Sequence, residues 1–333
     1  MKTKYRLFIA LLYGSYTIPV MFSYCFIGSR RRGPLFLRQL SRRRYAFCRV
    51  YGILRPLEKS GRKGSVHMSA ITQAHRIVVK VGTSTLTYDS GRLNLRRVET
   101  LCKVLADLQN AGHQMVLVSS GAMGVGMGKA GIRRRPDEIA RRQALAAVGQ
   151  CERMFIYDKF FGEYNRTVAQ VLMTADVLER PHSRRNVENT FSALMEMEII
   201  PVVNENDTVA VDELEGPSFG DNDTLSAIVA ELTDADLLVI LTDIDGLYDS
   251  DPRQNPQARR IPYVPVITPQ IEALAGGAGS SRGTGGMITK IRAARRVNGR
   301  GVPCCIVSGS DPTILYDLLA GRQVGTTFGG EER

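Results

Sequence analysis

The chain has 333 residues, 44% of them hydrophobic and 23% charged, enough for one large α/β domain or two small ones around a sizeable core. Its net charge of +11 does not signal nucleic-acid binding: residues 1–67 hold fifteen Lys and Arg against one acid, Glu58, which leaves 29 basic and 32 acidic residues, a net −3, in 68–333. Six cysteines without a CxxC pair and four scattered histidines point to neither a disulfide framework nor a transition-metal site.

The chain opens with an uncharged apolar run, Leu7 to Ser29, set between Lys2, Lys4 and Arg6 on one side and Arg30, Arg31 and Arg32 on the other. It is long enough to span a bilayer. A signal anchor would leave the following domain in the cytoplasm by the positive-inside rule. A cleaved secretory signal is disfavoured because no small-residue cleavage site follows; the Arg-rich, acid-poor stretch 30–66 suggests a mitochondrial presequence, although the apolar run before it is atypical for one. Alternatively the reading frame is over-extended, and Met68 is the natural start. The expected organisation is an extension over 1–67 that carries no chemistry and a working domain over 68–333. A cytoplasmic location is expected, with membrane anchoring or mitochondrial import as alternatives that require the extension.

From Ile77 onward β-branched runs alternate with helical patterns and glycine turns. Strands are expected at Ile77–Val81, Met115–Ser119, Val168–Leu172, Ile199–Val203, Leu237–Leu241 and Cys304–Val307, and helices over Leu95–Asn110 and Thr224–Leu232. This order predicts a mostly parallel sheet with helices on both faces, an α/β three-layer arrangement. Ligands gather at the carboxyl ends of such strands. Four strands end in polar or glycine clusters: Gly82-Thr83-Ser84, Ser119-Ser120-Gly121, Asn204-Glu205-Asn206-Asp207 and Thr242-Asp243. One cluster is routine loop composition, whereas four in register suggest a shared polar ligand.

Lys80 sits inside an apolar run, where a lysine must be paired or reach a polar cleft, unless its strand is an edge and it points to solvent. Gly220-Asp221-Asn222-Asp223 precedes a helix, and any of its three polar residues could cap that helix. Capping explains only one of them, and Asp223 is assigned to hold two lysines by charge-assisted hydrogen bonds. Gly283-Thr284-Gly285-Gly286 runs into a helical pattern with Lys290 one turn in, a way to hold a phosphate with backbone amides, the helix end and a full charge. The bland alternative is a glycine loop before a surface helix. Cys304-Cys305, within an apolar run, reads as a pair of buried strand cysteines.

Taken in order, Lys80-Val81-Gly82-Thr83-Ser84, Val118-Ser119-Ser120-Gly121-Ala122, Gln143 through Gln150, Pro201 through Asp207, Gly220 through Asp223, Leu241-Thr242-Asp243 and Gly283 through Lys290 resemble the glutamate 5-kinase family, over about residues 75–328. The resemblance implies the amino acid kinase fold, an αβα sandwich, and ATP-dependent phosphorylation of the γ-carboxylate of L-glutamate, the first step of proline synthesis. By motif, Lys80 and Lys290 would neutralise the transferring phosphoryl group and Asp223 would orient them. Ser120 with Gly121, Asp207 and Asn222 would bind glutamate. Lys80, Gly82, Thr83, Ser84, Thr242, Asp243, and Thr284, Gly285, Gly286, Met287, Ile288, Thr289 and Lys290 would hold ATP, with Mg2+ bridging its phosphates. The resemblance also implies feedback inhibition by proline and a homo-oligomer. The C-terminal PUA domain of many bacterial members is expected to be missing here.

Overall fold

A computed structural model describes residues 9–13, 16–20, 66–88, 92–174, 177, 179–209, 221–275 and 286–330. The chain divides into two units, residues 1–61 and 62–333. In the first, β1 (Ile9–Tyr13) and β2 (Tyr16–Val20) pair as an antiparallel hairpin with Ile9 opposite Val20. The rest of the apolar run 7–29 lies outside the described residues, and among those described no helix is long and apolar enough to cross a membrane.

The second unit begins with α1 (Val66–Thr72) and continues through β3 (Arg76–Val81), the short α2 (Thr83–Leu86), α3 (Leu95–Asn110), β4 (Gln114–Ser119), α4 (Ala122–Ala130) and the long α5 (Ile139–Glu163). There follow β5 (Val168–Met173), α6 (Pro181–Glu196), β6 (Ile200–Glu205), α7 (Asn222–Leu232) and β7 (Leu237–Thr242). Then come β8 (Leu247–Tyr248), β9 (Arg260–Ile261), β10 (Tyr263–Val264), α8 (Pro269–Ala275), α9 (Met287–Asn298), β11 (Cys304–Ser308), α10 (Ile314–Leu319) and β12 (Thr326–Phe328). All six strands expected from the sequence are present. So are both helices, the second starting two residues early because Asp221 caps it, its carboxylate accepting the Thr224 N–H at 2.7 Å.

Eight strands form one sheet in the order β10-β12-β11-β7-β3-β4-β6-β5. From β11 to β5 every pairing is parallel. At the other end β12 runs antiparallel to β11, and β10 is parallel to β12. β8 and β9 make a separate antiparallel ribbon.

Alternation along the strands builds two cores. Ile77, Val79, Val81, Leu117, Val239 and Cys305 enter one with α1, α3, α5 and α10, whereas Val78, Val116, Val118, Leu238, Ile240 and Cys304 enter the other with α6, α7 and α9. The sheet is thus the middle layer of three, as expected. The adjacent cysteines face opposite cores, and burial raises both thiols, Cys305 to about 12. The four strands with polar ends, β7, β3, β4 and β6, are consecutive in the sheet, so their loops share one edge.

Candidate active site

The two-residue period that sends Val78 toward α7 and α9 sends Lys80 the same way. There it meets Asp223, in the first turn of α7: Nζ lies 2.5 Å from Oδ1. Lys290, on the first turn of α9, donates to the other oxygen, Oδ2, at 3.0 Å. The Thr289 hydroxyl lies 2.7 Å from that same oxygen and 2.8 Å from the Gly286 carbonyl. Asp223 is 1% exposed and each lysine 6%.

Burial pushes the Asp223 carboxyl up, but the charges of Lys80 and Lys290 and the hydrogen bonds from Lys80 and Thr289 outweigh it, and the group is lowered to about 2. It is an anion at every physiological pH. Two ammonium groups around one carboxylate leave the cluster with one net positive charge. Asp221, the cap, goes the other way: burial raises its carboxyl, and the neighbouring Asp223 charge adds to the rise.

On one side of the cluster lies an open cleft of about 610 Å³, walled by Thr242 and Asp243 after β7, by Gly286, Met287 and Lys290 at the start of α9, and by the segment Ile244–Arg253. Gly286, at the N-cap of α9, gives no side-chain cap, so the first N–H groups of the helix are left for an anion. Thr242 is buried and its hydroxyl donates to the exposed Asp243 carboxylate at 3.1 Å. Tyr248, the last residue of β8, and Ser250, in the segment between β8 and β9, also line this cleft; their sequence context held no chemical signal.

On the other side lie the ends of β4 and β6. Gly121 has φ +94°, and a Cβ there would fall 2.4 Å from Thr83 Oγ1, so the turn after β4 is packed on the start of α2. α4 starts here, again without a side-chain cap. The Ser120 hydroxyl donates to the Val81 carbonyl at 3.2 Å. Asp207, two residues past β6, and Asn222, the first residue of α7, are both buried, and Asn204 Nδ2 lies 3.5 Å from Asp207 Oδ2.

The structure thus brings Lys80, Asp223, Thr289 and Lys290 into one cluster, with Gly286 and Met287 at the cleft. Thr289 turns its hydroxyl to Asp223, and Ile288 packs against the α7–α9 core, so neither side chain lines the cleft. Thr284 and Gly285 lie outside the described residues.

Residues 75–308 match the model of the amino acid kinase family. The chain is 55% identical over 260 residues to a glutamate 5-kinase of Clostridium perfringens, across 78% of this chain and 97% of that protein. It is 53% identical to a glutamate 5-kinase of Listeria innocua, across 79% of this chain and 96% of that protein, and 49% identical to one of Enterococcus faecalis, across 79% and 98%. Among solved structures the UMP kinase of Bacillus anthracis superposes with a TM-score of 0.54 at 15% identity, over 78% of this chain and 97% of that one, which is a likeness of fold.

Proposed function

Because the chain belongs to the amino acid kinase family, and within it to the glutamate 5-kinases, we propose that the lysine–aspartate cluster is where it transfers a phosphoryl group. The protein phosphorylates the γ-carboxylate of L-glutamate with ATP, giving γ-glutamyl phosphate and ADP, the first step of proline synthesis. The observation that carries the site assignment is the pair of buried lysines on two separate elements sharing one buried carboxylate.

In the reaction an oxygen of the γ-carboxylate forms a bond to the γ-phosphorus, and the bond from that phosphorus to the β–γ bridging oxygen breaks, its electron pair leaving with ADP. The acceptor is already ionised at neutral pH, so no general base is needed. What the protein must supply is position and neutralisation of charge on the transferring group. Lys80 and Lys290 supply the charge, and Asp223 fixes both ammonium groups before the substrates arrive. The cleft after β7 takes the nucleotide, with Gly82, Thr83, Ser84, Thr242, Asp243 and the start of α9 around its phosphates. Ser120 and Gly121 meet a carboxylate of glutamate, Asp207 its α-ammonium, and Asn222 a further oxygen. Both Asp223 oxygens are engaged by lysines, so Mg2+ would arrive with ATP rather than bind this carboxylate, and would supply further neutralisation of the phosphate charge. Proline acting as a feedback inhibitor at the glutamate site, homo-oligomer formation and a cytoplasmic location belong to the same reading.

Turnover with Mg-ATP and each of glutamate, aspartate, N-acetylglutamate and carbamate, with hydroxylamine to trap an acyl phosphate, tests it. A γ-hydroxamate formed with glutamate alone is expected. Preference for another acceptor would replace the acceptor-site assignment.

A further inference from the structure

We propose that Arg153 is a positioning residue for the acceptor, holding from beneath the Ser119–Gly121 turn on which the carboxylate docks. Arg153 lies on α5 and is 3% exposed. A guanidinium that deep is normally matched by a carboxylate, because an unpaired buried charge is costly. Here no carboxylate among the described residues lies within ion-pair distance of it. Its Nη2 donates instead to the Ser119 carbonyl at 2.5 Å, its Nη1 donates to Gln150 Oε1 at 3.2 Å, and its Nε is buried without a hydrogen-bond partner. The carbonyl it grips is the last of β4.

The same peptide is held at its other end, where the Ser120 N–H donates to the Val81 carbonyl at 3.3 Å. The Ser119 side chain is fixed too, its hydroxyl 2.6 Å from the buried Tyr157 hydroxyl. Residues 150, 153 and 157 share one face of α5, so that face acts as a template for a single turn. The template can come this close only because two glycines let α4 and α5 touch backbone to backbone. A Cβ on Gly126 would fall 1.8 Å from the Leu145 carbonyl oxygen, and one on Gly149 would fall 1.7 Å from that of Ala122. The stretch Gln143–Gln150 therefore serves the site from outside it. It brings α5 against the start of α4 and sets Arg153 under the turn. One positive charge, with dipoles and no carboxylate in ion-pair distance among the described residues, then lies below the place assigned to an anionic substrate.

The inference rests on Ser120 and Gly121 contacting the acceptor, so the experiment carries a control for that reading. Initial rates of the full chain are measured against glutamate at saturating Mg-ATP, and against ATP at saturating glutamate, for Arg153→Gln, Arg153→Lys, Gln150→Leu and Ser120→Ala, with melting temperatures to establish folding. Loss of the grip misplaces the turn, so Arg153→Gln is expected to raise the KM for glutamate about tenfold or more while the KM for ATP stays within about twofold. Arg153→Lys, which keeps the charge but loses the planar fork, should recover part of the loss, and Gln150→Leu should raise the glutamate KM about threefold. A folded Arg153→Gln protein with an unchanged glutamate KM, or with both KM values raised alike, overturns the proposal while a raised glutamate KM in Ser120→Ala keeps the acceptor site in place. An unchanged glutamate KM in Ser120→Ala overturns both. Should the Arg153 variants fail to fold, Gln150→Leu decides by the same split.

Discussion

Asp223 is asked to do two things: keep two lysines from repelling one another and keep them aimed. On the proposed assignment Lys290→Ala removes one of two charges meant for the transferring phosphoryl group, and a fall in kcat/KM of about a hundredfold or more, near 3 kcal/mol, is expected with the fold intact. Near-normal turnover in the folded variant would remove Lys290 from the mechanism. Asp223→Asn leaves two buried ammonium groups around an amide and should cost about 3 kcal/mol of stability at neutral pH. The pH dependence has a definite sign. The folded carboxyl is lowered to about 2 from an ordinary 3.8, so its contribution is complete above about pH 4 and disappears as the pH falls toward 2. Denaturant titrations of wild type and Asp223→Asn should therefore differ by a constant amount from pH 7 to 4 and converge below. A gap that closes already between pH 7 and 5 would mean that some other group supplies it.

At the level of elements, the crossing of α4 and α5 reverses an ordinary expectation. Alanine in place of a helical glycine usually adds up to about 1 kcal/mol of stability. Gly126→Ala and Gly149→Ala should instead each cost about 2 kcal/mol or more, since backbone lies where the new methyl would go. A rise in melting temperature in either would show that the helices are not in backbone contact. This crossing also marks where the sequence ceased to be legible. β-branched runs such as Ile77–Val81 and Leu237–Leu241 announce buried parallel strands, and Leu95–Asn110 announces its apolar face. Strands of two and three residues, Tyr263–Val264 and Thr326–Phe328, have too few positions to show a period, so the antiparallel edge was not foreseen. Lys80 and Asp223 stood out because a charge in an apolar run and a surplus acid beside a helix cap are local anomalies. Arg153 did not, because an arginine among polar and apolar neighbours is ordinary until its burial is known.

For the whole molecule, the compact unit from residue 62 onward contains every residue given a role in the chemistry. A protein of residues 68–333 is therefore expected to match the full chain within about twofold in kcat/KM, and a loss beyond tenfold would show that the extension contributes to the site. The cluster of Lys80, Asp223 and Lys290 joins β3, α7 and α9 into one charged core, and its effect on the fate of the gene differs from its effect on the reaction. Three buried charges replaced by apolar side chains of similar volume commonly leave a protein as stable or more so. A lineage relieved of the need for turnover would thus meet no folding barrier to replacing all three together, whereas Gly126 and Gly149 would stay fixed by assembly alone. In a library scored once for abundance and once for growth without proline, the two sets should separate: alanine at either glycine intolerant in both, joint apolar replacement of the charged three intolerant only in the second.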